Sequence, residues 1–240
     1  MPSIIDAFRG VTRFWWGDRG LSAFLLLLFV SLFLGPFIES FPLRVVSSLF
    51  FSFLLISGVV TISSRPLPRF IVGMVAVVAI VLRWVDRFTE NHTVAVWAAV
   101  TSLLFLACMT GVMLIRVFKN DGQVTRHRVQ GAVAAYLLFG ITWSLLYQLF
   151  ELTLPGSFSL PAVHHLDATS RQEIFTYFSF VTLTTLGYGD VTAIHPTARM
   201  FVIMEGLIGQ LYPATLLARL VSLQITGQKS DGKGPQDVSK

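Results

Sequence analysis

Long apolar runs separated by short polar breaks dominate the chain. Several of the runs approach the roughly 20 residues that a helix needs to cross a hydrocarbon core about 30 Å thick. Charged residues gather in the breaks, as they do in the loops of membrane proteins. The pattern predicts six membrane spans, which cover Leu21–Ile38, Leu43–Ile62, Phe70–Val85, Val94–Phe118, Gly131–Leu152 and Ala198–Ile225.

One further apolar segment, Glu173–Thr185, is too short to cross. Its roughly 13 residues cover about 20 Å as a helix. It follows a polar loop from Thr153 to Gln172 and leads directly into the glycine-rich stretch Thr184–Asp190. Irregular backbone at membrane depth is tolerated only where protein buries it or where it lines a water-filled path. We therefore expect a re-entrant helix followed by an irregular strand.

The glycine-rich stretch offers a run of backbone carbonyl groups, those of Thr185, Leu186, Gly187 and Tyr188, together with the Thr185 hydroxyl. Carbonyl oxygens can replace the water around a monovalent cation only if successive peptides direct them to the same side. Such a path visits φ/ψ regions that glycine reaches without steric cost, and two glycines bracket Tyr188. The stretch therefore has the composition of a cation-binding strand.

Composition supports a membrane protein. Hydrophobic residues make up 54% of the chain and charged residues only 13%, about half the charged fraction of soluble domains. The net charge of +5 is spread over the breaks between spans rather than collected on one face, which argues against nucleic-acid binding. Cys108 is the single cysteine, so an intrachain disulfide is excluded.

The distribution of cationic residues predicts the orientation. With the amino terminus inside and six spans, all but five of the 18 Lys and Arg residues lie on the cytoplasmic side. Both termini are then cytoplasmic, and the glycine-rich stretch lies at the outer face of a plasma membrane. The five exceptions are Arg44, Arg83, Arg87, Arg171 and Arg199.

The run Thr185–Asp190, placed between a half-length helix and a full span, resembles the selectivity filter of potassium channels, and residues 131–225 resemble the pore module of that family. The resemblance implies an all-α integral membrane protein in which four identical chains surround one pore, since each chain supplies a single filter strand. It also implies K⁺ held at Thr185, Leu186, Gly187 and Tyr188, and passive transport without a cofactor. Leu186 replaces the common Val, at a position that contributes a carbonyl group.

The resemblance also assigns filter support to Tyr177, Phe178, Val181 and Thr184. Tyr177 and Phe178 fall where the family has an aromatic cuff. Phe178 carries no donor for the Tyr188 hydroxyl, so we expect Tyr177 to reach Asp190 instead. Val181 stands where some members have a glutamate that pairs with the aspartate after the filter, so that pair is missing here.

The last span contains features of an inner pore helix. Gly209 lies 20 residues after Gly189, where related channels keep a hinge, and Gly206 and Pro213 add weak points; the alternative is that the glycines permit close packing. Glu205 is an acid inside a span, which predicts either a protonated structural strut or a pH-sensitive group. The residues expected to line the cavity are Gln210, Ala214, Leu217, Ala218 and Val221.

The chain divides into a cytoplasmic or interfacial segment (1–20), a four-helix region (21–118), a linker (119–130), the pore domain (131–225) and a polar tail (226–240). The four-helix region lacks the repeated arginines of a voltage sensor, since the fourth span carries only Arg116 at its inner end. This layout resembles small bacterial six-span channels without a charged sensor, which implies the bacterial inner membrane.

Four alternatives remain open. The pore of a non-selective monovalent cation channel would look similar. Gly187–Asp190 fits the Gly-x-Gly-Asp pattern of intramembrane aspartyl proteases, which need a second carboxylate, and no other span contains an aspartate. A secondary transporter would show an inverted partner of the re-entrant segment. His164, His165 and Asp167 offer metal ligands in the outer loop.

Overall fold

The computed structural model describes residues 18–33, 52, 55, 66–89, 91–118, 126–160 and 168–231. It is helical apart from one short pair of strands. The helices with full bounds in this part of the chain are α1 (Asp18–Phe33), α2 (Pro66–Thr89), α3 (His92–Phe118), α4 (Arg126–Thr153), α5 (Ala168–Leu183) and α6 (Pro196–Asp231). Strands β1 (Phe158–Ser159) and β2 (Thr192–Ala193) pair antiparallel, with Phe158 opposite Ala193.

Three helices of the described part are long and apolar enough to cross a membrane: His92–Ile115, Arg128–Thr153 and Pro196–Ser222. They correspond to the fourth, fifth and last predicted spans. The first predicted span is described only as far as Phe33, and the second lies almost wholly outside the described residues.

The helix that contains the third predicted span, α2, is not among these three, and it is longer than the predicted segment. Helix α2 runs from Pro66 to Thr89 and therefore includes the charged residues at which the apolar run ends. Proline is compatible with the first turn of a helix, where its missing N–H has no intrahelical partner to lose. At the other end, Arg83 donates a hydrogen bond to Gln172 on α5, so this charged end of α2 is fastened to α5.

Helix α4 is the centre of the packing and contacts α1, α3, α5 and α6. Its small residues Ala132, Ala134 and Ala135 are buried, and small side chains allow helices in a membrane to approach closely. Gly140 likewise allows α5 to approach α4 closely, because a Cβ atom on Gly140 would lie 2.4 Å from the Phe180 ring. The largest fully buried side chains around α4 include Phe105, Leu106, Met109, Leu138 and Leu145.

Helix α6 packs on the rest of the chain through one narrow face. Glu205, Gly209 and Tyr212 are buried on it at helical spacing. A Cβ atom on Gly209 would lie 2.1 Å from the Leu183 carbonyl oxygen, whereas one on Gly206 would meet nothing within 4 Å. The Tyr212 hydroxyl donates to the Ala132 carbonyl at 2.9 Å. Gly209 thus has a packing role against the end of α5.

The proposed hinge residues lie within one continuous helix, since α6 extends past Gly206, Gly209 and Pro213 without a break. Pro213 removes the hydrogen bond that the Gly209 carbonyl would otherwise accept. Bending at this point stays a prediction, while the close contact of Gly209 supports the packing alternative.

We predict that Gly209→Ala destabilises the protein and that Gly206→Ala, the matched control, does so far less. The added methyl of G209A must displace backbone at the end of α5, and overpacking of this kind costs about 1–3 kcal/mol. Thermal unfolding of the detergent-solubilised variants measures the difference. Equal unfolding temperatures for the two variants would contradict the packing role.

Candidate functional site

The glycine-rich stretch leaves the carboxyl end of α5 as irregular backbone, and every residue from Thr184 to Asp190 is exposed in the single chain. Its backbone has positive φ at every second position: 60° at Thr185, 56° at Gly187 and 79° at Gly189. An alternation between left-handed and ordinary conformations rotates successive peptides so that their carbonyl groups can share one side. The conformations expected of the two glycines are present, and Thr185 adopts the same conformation at a steric cost that was not foreseen.

The end of α5 holds the beginning of this stretch. The N–H groups of Leu186 and Gly187 both donate to the Val181 carbonyl, at 2.9 and 3.3 Å, and the Thr185 N–H donates to Thr182 at 2.9 Å. Thr184 donates its N–H to the Phe180 carbonyl at 3.0 Å. These carbonyls belong to the last turn of a helix, where intrahelical partners run out. Val181 therefore supports the strand through its backbone, a role that its apolar side chain does not reveal.

The two aromatic residues of the expected cuff behave differently. Tyr177 is exposed and hydrogen-bonds Asp190, which raises the pKa of the Tyr177 hydroxyl above its ordinary value. Phe178 is buried and packs on Tyr147 and Phe158, with ring centroids 5.2 and 5.7 Å away. Tyr177 thus makes the expected contact with Asp190, and Phe178 helps fix α5 to α4.

Behind α5, Glu205 lies fully buried between three helices. The Tyr147 hydroxyl of α4 donates to Oε2 at 2.5 Å. The Ser179 hydroxyl of α5 lies 2.5 Å from Oε1 and 2.7 Å from the Gly140 carbonyl oxygen. Sequence reasoning singled out Glu205 but missed its partners, although Tyr147 and Ser179 are polar residues in apolar helices.

A second acid organises the loop that precedes α5. The carboxylate of Glu151 accepts hydrogen bonds from the N–H groups of Gly156 and Phe158, at 2.9 and 3.2 Å. Gly156 has a φ of 81°, which the turn requires. The strand that follows pairs with β2, directly after the glycine-rich stretch. Glu151 was not identified from the sequence, because its role depends on the loop folding back over the end of α4.

The residues expected to line a cavity share one property, exposure on α6 away from its packed face. They are Gln210, Ala214, Leu217, Ala218 and Val221. The described part of the chain contains no group of three or more side chains able to hold a metal ion, and the proposed ligands His164, His165 and Asp167 lie outside it.

Residues 159–224 match the family described as ion channel. The chain is 36% identical over 110 residues to two pore potassium channel c of Oryza sativa subsp. japonica, a match covering 44% of this chain and 22% of that protein. It is 27% identical over 92 residues to potassium channel KOR1 of the same organism, covering 38% of this chain and 10% of that protein.

A third relative is protein LctB of Bacillus caldotenax, 27% identical over 123 residues, which cover 51% of this chain and 90% of LctB. The chain thus aligns with about a fifth and a tenth of the lengths of the two plant channels. The matched region contains α5, the glycine-rich stretch, β2 and most of α6. The family match and these relatives support a potassium channel pore family for this part of the chain.

Tyr177→Phe removes the hydroxyl that binds Asp190 and leaves the ring in place. We expect this variant to shorten the time for which the outer end of the stretch holds one conformation, without lowering the unfolding temperature. The rotational mobility of a spin label on the exposed residue 192, which leaves Asp190 in place, provides the measurement. Tyr212→Phe is the control, since it removes a buried hydrogen bond to Ala132 that does not involve the stretch and should cost about 1 kcal/mol of stability instead. Unchanged mobility in Y177F would show that the contact does not restrain the stretch.

Proposed function

We propose that the chain is a subunit of a potassium-selective channel, in which the stretch Thr185–Asp190 is the selectivity filter. The observation that carries the proposal is the alternation of left-handed residues along a strand whose first N–H groups, those of Thr184 to Gly187, are bound to the end of α5. Binding the N–H groups on one side leaves carbonyl groups free to coordinate a dehydrated cation on the other. Four carbonyl groups and the Thr185 hydroxyl of each chain supply the K⁺ ligands.

The pore is a homotetramer. One chain provides one filter strand, and a closed cage of carbonyl groups requires several. Burial within the chain supports assembly: the spans in α3 and α4 are 44% and 50% buried, but the span in α6 is only 17% buried. An inner helix that its own chain leaves so open has a large surface for neighbouring copies and for the cavity. Transport is passive, and no cofactor takes part.

The proposed topology has six spans, with both termini in the cytoplasm and the filter at the outer face of the membrane. The cationic residues support this orientation by the positive-inside rule. The layout favours the inner membrane of a bacterium.

The match to an ion channel family also favours transport over catalysis. A protease would need Asp190 as a free carboxyl group, whereas Tyr177 binds this residue.

Flux from purified protein in liposomes tests the function. We expect K⁺ and Rb⁺ to pass and Na⁺ to be excluded by at least about tenfold, since a difference of 1.4 kcal/mol in the barrier gives that factor. Equal flux of Na⁺ and K⁺ would establish a non-selective cation channel instead. Peptide cleavage without ion flux would establish the protease.

Gly189→Ala and Gly187→Ala should abolish or degrade selectivity, because alanine resists the positive φ that both positions require. The matched control is Gly156→Ala in the outer loop. Gly156 and Gly189 have φ of 81° and 79°, and an added Cβ atom meets nothing within 4 Å at either position. The two substitutions therefore carry the same backbone cost. Selectivity retained in G189A, or lost equally in G156A, would refute the filter assignment.

A further inference from the structure

The buried contacts of Glu205 favour the protonated carboxyl group, by a count of hydrogen atoms. Ser179 has one hydroxyl proton, yet its oxygen lies within hydrogen-bond distance of both the Gly140 carbonyl and Glu205 Oε1. The carbonyl oxygen of Gly140 can only accept. If the Ser179 proton goes to Gly140, the contact with Glu205 needs a proton from the carboxyl group. A charged carboxylate would instead leave the Gly140 carbonyl without that donor.

The neutral form satisfies every member of the network. Tyr147 donates to Oε2 of Glu205, the protonated Oε1 donates to Ser179, and Ser179 donates to Gly140. A single chain of hydrogen bonds then joins α4, α6, α5 and α4 again. Burial acts in the same direction, because an uncompensated charge inside a membrane protein is costly. Among the described residues, the titratable group in contact with the carboxyl group is the Tyr147 hydroxyl. The Tyr136 hydroxyl, also on α4, donates to the Leu183 carbonyl and interacts with Glu205 through electrostatics only.

The network lies directly behind the filter. Ser179 is half a turn before Val181, the residue whose carbonyl holds the N–H groups of Leu186 and Gly187. Tyr136 donates to the Leu183 carbonyl at 3.2 Å, at the point where Gly209 contacts α5. The position of α5, and with it the start of the filter, is therefore fixed by contacts from α4 and α6.

We propose that Glu205 is a positioning residue of the filter, which acts as an uncharged hydrogen-bond bridge and fixes the re-entrant helix to the outer and inner helices. This inference rests on the proposed function, since its consequence is measured in ion conduction. The bridge requires a group at position 205 that both donates and accepts a hydrogen bond. It does not require the negative charge of a carboxylate.

The test compares Glu205→Gln with Glu205→Ala in liposome flux. Glutamine is always neutral, donates to Ser179 and accepts from Tyr147, so we expect E205Q to keep K⁺ flux within about threefold of the natural protein. We expect the K⁺ flux of E205A, which lacks the bridge, to be at least about tenfold lower than that of the natural protein. The flux of Ser179→Ala should lie between those of E205Q and E205A. Met204→Ala, next to Glu205 but exposed on α6, is the control for changes in helix packing.

Infrared difference spectroscopy supplies a second readout that needs no conduction. The spectrum of the natural protein minus that of E205Q should contain the C=O stretching band of a protonated carboxylic acid. A carboxylate band in its place, or an E205Q variant as damaged as E205A, would overturn the neutral bridge. Natural flux in E205A would overturn the positioning role. If the natural protein conducts no K⁺, the proposed function fails, and with it the link to conduction, while the infrared band still decides the protonation state.

Discussion

The two hydrogen bonds from the Leu186 and Gly187 N–H groups to the Val181 carbonyl are the interaction on which the candidate pore depends. A strand that offers its carbonyl groups to an ion cannot also use them in a helix or a sheet, and its N–H groups still need acceptors. The last turn of α5 provides those acceptors, because its carbonyls have no partners further along the helix. The last turn of α5 thus accepts the hydrogen bonds that the start of the strand donates.

The rest of the described fold serves to position α5. Helix α4 lies behind it and contributes Gly140, Tyr147 and Tyr136 to its contacts. Helix α6 reaches it through Glu205 and through Gly209, whose missing side chain lets backbone meet backbone. The paired strands β1 and β2 join the segment before α5 to the segment after the glycine-rich stretch. A helix too short to span is thereby fixed from three directions.

Much of this arrangement follows from sequence patterns with a direct physical meaning. The long apolar runs predicted the ends of α3, α4 and α6 to within six residues, because the bilayer demands a minimum helix length. Gly187 and Gly189 indicated positive φ, and the missing donor on Phe178 pointed to the contact between Tyr177 and Asp190. These inferences use properties of single residues or of short segments.

The unpredicted features all depend on which segments meet in space. The role of Val181 lies in its carbonyl, so its side chain gives no sign of it. Thr185 adopts a left-handed conformation that its side chain disfavours, since the surrounding contacts impose it. The start of α5 at Ala168, five residues before the predicted Glu173, falls in polar sequence where hydropathy carries no information. The sequence position of Gly209 indicates a hinge, and only the short distance from Gly209 to Leu183 reveals the packing contact.

Anomalous diffraction from crystals grown in Rb⁺ tests the central claim most directly, because it locates the ion and the carbonyl groups together. The account predicts Rb⁺ peaks on a fourfold axis, level with the carbonyl oxygens of Thr185 to Tyr188, and their absence after exchange into Na⁺. Peaks that persist at the same positions in Na⁺, or a filter strand that lies away from any symmetry axis, would contradict it.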